Sequence, residues 1–356
     1  MNPFKIYKSV QDSYDAMLQA CCDAESEIIF EQYILNDYYP EGIAGEFIEI
    51  LMKKARAGVR VILYLDAIGS LGVSANPRLR EKLVNAGVEL EFYESTQFIQ
   101  WISLPRIFLR NHRKALIIDE KITFMGGVVI GDEYRGWDDL LVRIKNSELA
   151  SKLKQQVIGQ INHYESKKSF EFKSERIGDK FEILTNSPGF NQRHVTAEIH
   201  RQIKASKQNI TIITPYFSPT HPAWLELKKA RFRGVRVDVV IPESTDHSFI
   251  DRVHQGYFSK LLNYKVNVYQ YPNMMHGKLI IIDDWATWGS TNFDQLSFIF
   301  NHELNLATTD KQLVDNLKTY ADRLISDSKL VDRLATNLRL SDWGKIQLYK
   351  LARIIT

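Results

Sequence analysis

Cysteine is nearly absent: 356 residues contain two, Cys21 and Cys22, side by side in a stretch with helical patterning. Adjacent helical cysteines cannot meet disulfide geometry, so a disulfide framework is excluded and the composition suits a reducing compartment. No run of eighteen apolar residues occurs, and the opening MNPFKIYKSV lacks the charged-then-apolar layout of a secretory signal. The expectation is a soluble or peripheral protein. Neither sign of charge dominates, since 46 Lys and Arg stand against 43 Asp and Glu for a net charge of +3. That balance argues against a dedicated nucleic-acid binder.

What the chain does contain is one uncommon pattern twice. His-x-Lys-x-x-x-x-Asp occurs as His112, Lys114 and Asp119, and returns 164 residues later as His276, Lys278 and Asp283. The full copies are HRKALIIDEKITFMGG and HGKLIIIDDWATWGSTNFD. Each holds a short Leu/Ile run bounded by polar residues and glycine, which predicts a buried strand. On a strand, residues two apart point the same way, so each His–Lys pair aims an imidazole and an ammonium at one anion.

The duplication extends upstream. The pattern predicts strand 27–33, helix 45–57 and strand 59–65 in the first half, and strand 210–213, helix 223–233 and strand 235–241 in the second. The helix-to-strand junctions KKARAGVRV and KKARFRGVRV place Gly58 and Gly234 where a helix should end. The expected fold is α/β: two similar domains, each a mixed β-sheet flanked by helices, related by a pseudo-twofold with the active site between them. The polar stretch 165–180 has no apolar periodicity, so the domains are set at 1–170 and 171–356.

Two histidines, one from each half, suit a two-step displacement at phosphorus: one imidazole attacks and the other handles the leaving and incoming protons. Lys114 and Lys278 would hold the non-bridging oxygens, so no metal or other cofactor is expected. A lysine two residues from each histidine would also put a competing cation in any zinc site. Each histidine needs a partner that fixes its tautomer. Asp119 and Asp283 lie an odd seven residues on, which puts them on the opposite strand face, and they are read as structural residues closing the turn after the strand. Asp139 and Glu303, each twenty-seven residues after its histidine, are the better candidates.

With these residues in view, the double motif, with GG after the first copy and GSTNFD after the second, resembles the phospholipase D superfamily. EQYILND (31–37), RNHRK (110–114), GGVVIGDEY (126–134), ITPYFSP (213–219) and GSTNFDQLSFIFNHELNL (289–306) resemble bacterial cardiolipin synthases. The resemblance implies a phosphatidyltransferase that makes cardiolipin or a related phospholipid through a phosphohistidine. It implies His112 as nucleophile, His276 as general acid and base, Asp139 and Glu303 as orienting acids, and Lys114, Lys278 and Asn292 on the phosphate. Ser290 is a further candidate on the phosphate. One departure stands out: family members commonly carry Asn three residues after the first glycine of the turn, and the first copy has Val129 there. Valine donates no hydrogen bond, which predicts a looser phosphate clamp or a shifted head group.

The implied partners are phosphatidylglycerol or a similar phospholipid and an anionic membrane, met peripherally on the inner face of the bacterial membrane, with no nucleic acid. Oligomeric state is open. Two segments carry the membrane expectation. FIQWISLPRIFLRN (98–111) is an apolar stretch with a basic rim, read either as a bilayer-dipping loop or as a buried or dimer-contact helix. RLSDWGKIQLYKLARIIT (339–356) is read as a basic amphipathic helix on lipid or a packed terminal helix. Hydrolysis by a phospholipase D-type enzyme is the alternative function, and a nuclease of the same superfamily a more distant one.

Overall fold

A computed structural model describes residues 3–36, 40–93, 109–166, 173–188 and 192–331. Segment 339–356 lies outside the described residues, as does all of 98–111 except its last three.

The first half runs β1 (Phe4–Ser9), α1 (Val10–Asp23), β2 (Glu27–Gln32), α2 (Gly42–Arg56), β3 (Arg60–Asp66), α3 (Leu71–Ser74), α4 (Pro77–Asn85), β4 (Val88–Tyr93), β5 (Ala115–Ile118), β6 (Ile122–Gly126), β7 (Asp138–Lys145) and α5 (Ser147–Ser166). Its seven-stranded sheet has the order β1-β7-β6-β5-β2-β3-β4. Strands β2, β3 and β4 are parallel and the other pairings antiparallel, so the sheet is mixed.

The second half runs β8 (Glu175–Ile177), β9 (Phe181–Asn186), α6 (His194–Ala205), β10 (Asn209–Ile213), β11 (Phe217–Ser218), α7 (His221–Phe232), β12 (Arg236–Pro242), α8 (Ser248–Asn263), β13 (Asn267–Tyr271), β14 (Leu279–Ile282), β15 (Trp285–Gly289), β16 (Phe293–Asp294), β17 (Glu303–Thr308), α9 (Lys311–Ser326) and β18 (Lys329–Leu330). In its sheet, of order β18-β13-β12-β10-β14-β15-β17-β9-β8, β10, β12 and β13 repeat the parallel set and β14, β15 and β17 the antiparallel one. The motif strands β5 and β14 each pair antiparallel with the first parallel strand of their half.

The apolar runs are explained by burial on both faces. Along β2 and β5, Ile28, Phe30, Leu116 and Ile118 face an outer core under α1 and α2, while Ile29 and Ile117 face inward. Along β14, Ile280 and Ile282 join the other outer core under α6 and α7, while Leu279 and Ile281 face inward. The inward side chains of both sheets merge with α5 and α9 into a single shared core, so each half covers apolar surface on the other. Gly58 and Gly234, at φ of +89° and +88°, end α2 and α7 in the left-handed conformation that a side chain resists.

Two isolated parallel bridges join the halves, Asn111 to His302 and Asp138 to Met275. They are equivalent under the pseudo-twofold: each links the residue before a motif histidine to the residue before an orienting-acid candidate of the other half.

Candidate active site

The motif histidines and lysines do not sit on the strands. His112–Lys114 and His276–Lys278 form extended lead-ins to β5 and β14, which begin at Ala115 and Leu279. What aligns them is the cross-half bridge: His112 N–H donates to the His302 carbonyl (3.0 Å), and His276 N–H to the Asp138 carbonyl (2.7 Å).

That bridge crosses the acids over. Spacing suggested that each histidine is served by the acid twenty-seven residues after it, but the geometry reverses the assignment. His112 Nδ1 lies 3.1 Å from both carboxylate oxygens of Glu303, and His276 Nδ1 lies 3.1 Å from Asp139 Oδ2. Each half therefore supplies the carboxylate for the other half's imidazole. With Nδ1–H given to a carboxylate, the lone pair resides on Nε2. Both rings line one cleft of about 500 Å³, together with Tyr33, Val129, Trp137, Tyr216, Asn292 and Asn301 among others.

Burial dominates the protonation of both imidazoles and, helped by the lysines, pulls them down to about 4 despite the carboxylates. Both are thus neutral at pH 7 and carry a free lone pair. Burial alone would raise the Glu303 carboxyl, but His112 and the Ser290 hydroxyl that donates to it hold it below its ordinary value. In the first half Gly127 stands where Ser290 stands in the second. A Cβ there would collide with the Asp139 carboxylate and come within 2.6 Å of the His276 carbonyl oxygen.

Lys114 and Lys278 are 3% and 2% exposed. Each ammonium donates back to the carbonyl of its own motif histidine, at 2.7 and 2.6 Å, leaving two protons for an anion. Desolvation first, offset in part by the nearby carboxylates, lowers both to about 7. Lys114 also lowers Lys278 and His276, and Lys278 lowers His112, so four cationic or potentially cationic groups converge on one spot. A bound phosphate diester would relieve that repulsion and favour their protonated forms.

Asp119 and Asp283 stay away from the cleft. Both take left-handed φ of 52° in the turn after the motif strand. Their carboxylates reach past that turn to the start of the neighbouring parallel strand: Asp119 accepts the N–H groups of Glu25, Ser26 and Glu27, and Asp283 those of Lys207, Gln208 and Asn209.

Several residues that pattern reading did not single out complete the site. The Tyr33 ring meets His112 edge-on at 4.9 Å and lies under the Lys114 ammonium; Trp137 leans on His276 at 5.5 Å. Asn301 donates to Glu303 at 3.4 Å. Arg110 is buried against Asp66, whose other oxygen takes the Asn111 N–H at 2.9 Å, and Arg113 is buried between Glu31 and Gln160. No signal along the chain links the acids to their true partners, because the bridges of His302 and Asp138 to the other half form only in the folded protein. Tyr216 also lines the cleft, whereas Phe217 stacks on Phe293 in the core. The lone His254, buried in α8, accepts the Phe217 N–H at 3.0 Å.

Comparison with known proteins agrees with this architecture. A family model described as "Cardiolipin synthase, PLD-like domain" matches residues 17–159 and again 199–325. A cardiolipin synthase of Clostridium perfringens is 31% identical over 86% of this chain and 66% of its own length. A probable cardiolipin synthase of Bacillus subtilis is 29% identical over 91% of this chain and 66% of its own. The chain thus spans about two thirds of the length of these curated relatives. Among solved structures, phosphatidylserine synthase of Haemophilus influenzae superposes with a TM-score of 0.78 at 13% identity, covering 99% of this chain and 93% of that one. At that identity the likeness speaks for the fold. A twice-matching family model, on two like halves that bring paired His-x-Lys motifs to one cleft, establishes that the chain belongs to the phospholipase D superfamily, in the family of cardiolipin synthase PLD-like domains.

Proposed function

We propose that this protein is a phosphatidyltransferase that makes cardiolipin or a related phospholipid by two in-line displacements at phosphorus. The observation that carries the reading is the crossed pair of Nδ1–carboxylate contacts, which leaves two Nε2 atoms in one cleft beside two buried lysines.

In the first step Nε2 of His112 attacks the donor phosphate. The P–N bond forms as the P–O bond to the leaving alcohol breaks, and a protonated His276 gives that oxygen its proton. In the second step an acceptor hydroxyl passes its proton to Nε2 of His276 as its oxygen bonds phosphorus and the P–N bond breaks. His112 is taken as the nucleophile, as in the family the chain resembles, and its carboxylate has a hydroxyl partner that the first half lacks at Gly127. Glu303 takes both His112 and the Ser290 hydroxyl and stabilises the cationic phosphoimidazole. Asp139 serves His276 in the same way. Lys114, Lys278 and Asn292 neutralise and bind the non-bridging oxygens.

The same reading treats 1–170 and 171–356 as two domains of one enzyme, supported by sheets that draw separately on residues 4–145 and 175–330. It takes phosphatidylglycerol or a similar lipid as substrate, with the protein acting peripherally on the inner face of the bacterial membrane. Among the described residues no helix is long and apolar enough to cross a bilayer.

The test is mass-spectrometric product analysis after incubating the purified protein, in chelator, with phosphatidylglycerol vesicles, with His112→Ala as control. Cardiolipin and glycerol are expected from the wild type and neither from the variant. Phosphatidic acid alone would make the protein a hydrolase, and full turnover by His112→Ala would overturn the assignment of the nucleophile.

A further inference from the structure

The two walls of the cleft are chemically unlike, although the halves that build them are alike. At the position three residues after the first turn glycine, the first half presents Val129 and the second Asn292. Asn292 is 5% exposed and Asn301 8%, and the side-chain oxygen of each is buried with no hydrogen-bond partner among the described residues. A buried acceptor left unpaired costs about 1–3 kcal/mol in general, so two in one cleft point to a ligand that brings donors. Beside them is a carboxylate. Asp246 lines the cleft and is held by the Tyr216 hydroxyl at 2.7 Å, while the Tyr216 ring meets His276 edge-on at 6.4 Å. Asp246 therefore stands one aromatic ring away from the imidazole that handles the acceptor's proton.

On the first-half wall the corresponding charge is a cation, Arg110, already paired with Asp66. Ile34, Ile68 and Val129 line that side with no polar side-chain atom. Carboxylates and side-chain amides thus gather on the second-half wall, whereas the first carries neither and presents Arg110, aromatic rings and these aliphatic side chains.

We propose that Asp246, Asn292 and Asn301 form the acceptor subsite, and that Asp246 selects a polyol by accepting the hydroxyl next to the one that attacks phosphorus. This rests on the phosphatidyltransferase reading and adds to it the residue that sets acceptor preference. The attacking hydroxyl gives its proton to His276, its oxygen bonds phosphorus, and the P–N bond to His112 returns its electron pair to the ring. The neighbouring hydroxyl stays intact and donates to Asp246. A mono-alcohol lacks that second donor, and an acceptor bearing a carboxylate meets like charge.

A competition within one reaction tests this. The full chain is incubated with phosphatidylglycerol vesicles and equal concentrations of deuterated glycerol and 1-propanol, and the ratio of labelled phosphatidylglycerol to phosphatidylpropanol is read by mass spectrometry. The ratio is internal, so a change in total turnover cancels. Wild type should favour glycerol, and Asp246→Asn, which keeps the shape and removes the charge, should cut that preference by about tenfold or more, the general strength of a hydrogen bond to a charged group. Tyr216→Phe, which leaves the carboxylate but unties it, should move the ratio the same way by less. An Asp246→Asn ratio within twofold of wild type overturns the subsite, as does a wild type that shows no preference for glycerol over 1-propanol. A wild type that forms neither of these products nor cardiolipin overturns the phosphatidyltransferase reading itself.

Discussion

Glu303→Gln separates the crossed arrangement of acids from the uncrossed one. The substitution keeps the side chain's size but replaces the anion that faces His112 Nδ1 at 3.1 Å with a neutral amide. Two losses follow. A hydrogen bond to a charged group contributes about 1.5–3 kcal/mol, so losing the charge alone should slow phosphohistidine formation by about 10- to 150-fold. If the amide turns its NH2 toward Nδ1, the proton moves to Nε2 and the attacking lone pair is gone; in the serine-protease triad an equivalent acid-to-amide change costs about 10⁴. Total loss should thus fall between about 10- and 10⁴-fold in kcat/KM. The assay is rapid-quench kinetics with mass-spectrometric detection of the phosphorylated His112 peptide. Because the acids cross, Glu303→Gln should cost nothing further in a His112→Ala background but should still cost in a His276→Ala background. A Glu303→Gln protein that keeps its fold and retains kcat/KM within threefold of wild type would refute the orienting role. Independent losses with His112→Ala would refute the pairing.

Three other expectations follow from the same geometry. Sulfate, a dianion throughout, should bind more weakly as pH rises through about 7, where Lys114 and Lys278 give up protons, by up to tenfold per unit for each lysine; calorimetric affinities that stay flat between pH 6 and 9 would contradict this. Val129→Asn should add one amide donor at the phosphate and tighten sulfate binding by about 2- to 10-fold, the range of an ordinary hydrogen bond, and an unchanged Kd together with unchanged acceptor preference would remove that idea. Asp119→Ala and Asp283→Ala should each lower stability by about 1 kcal/mol in urea titrations, a low figure because both carboxylates are partly in water. Partial burial would raise these carboxyls, but three backbone N–H groups outweigh it and hold both below 3.8. Their folded pKa values are depressed, so their contribution is present above about pH 4 and lost as pH falls through the folded values; a urea midpoint difference between wild type and variants that persists at pH 2 would speak against it.

The sequence by itself determined what rests on local pattern. Leu/Ile runs covered on both faces are legible as buried strands, the recurrence of His-x-Lys-x-x-x-x-Asp marks two like halves, and Gly58 and Gly234 mark helix ends because only glycine takes that φ cheaply. The four motif side chains and the two acids were legible as candidates for the same reason, since they repeat at equal spacing. Which acid serves which histidine was not legible. Spacing along the chain favoured the same half, but Asn111 and His302, and Asp138 and Met275, pair only when the two sheets pack over their shared core, and that packing carries each acid across. Tyr33, Trp137, Asn301 and Asp246 escaped for a related reason: nothing in their local sequence tells a cleft residue from any other aromatic or polar residue, and only in the fold does Tyr33 stand to His112 as Tyr216 does to His276. Asp119 and Asp283 were assigned to their own turn, whereas their carboxylates secure a strand more than seventy residues away in sequence. Periodicity is a property of neighbours along the chain, and these contacts are between neighbours in space, which only the tertiary structure decides.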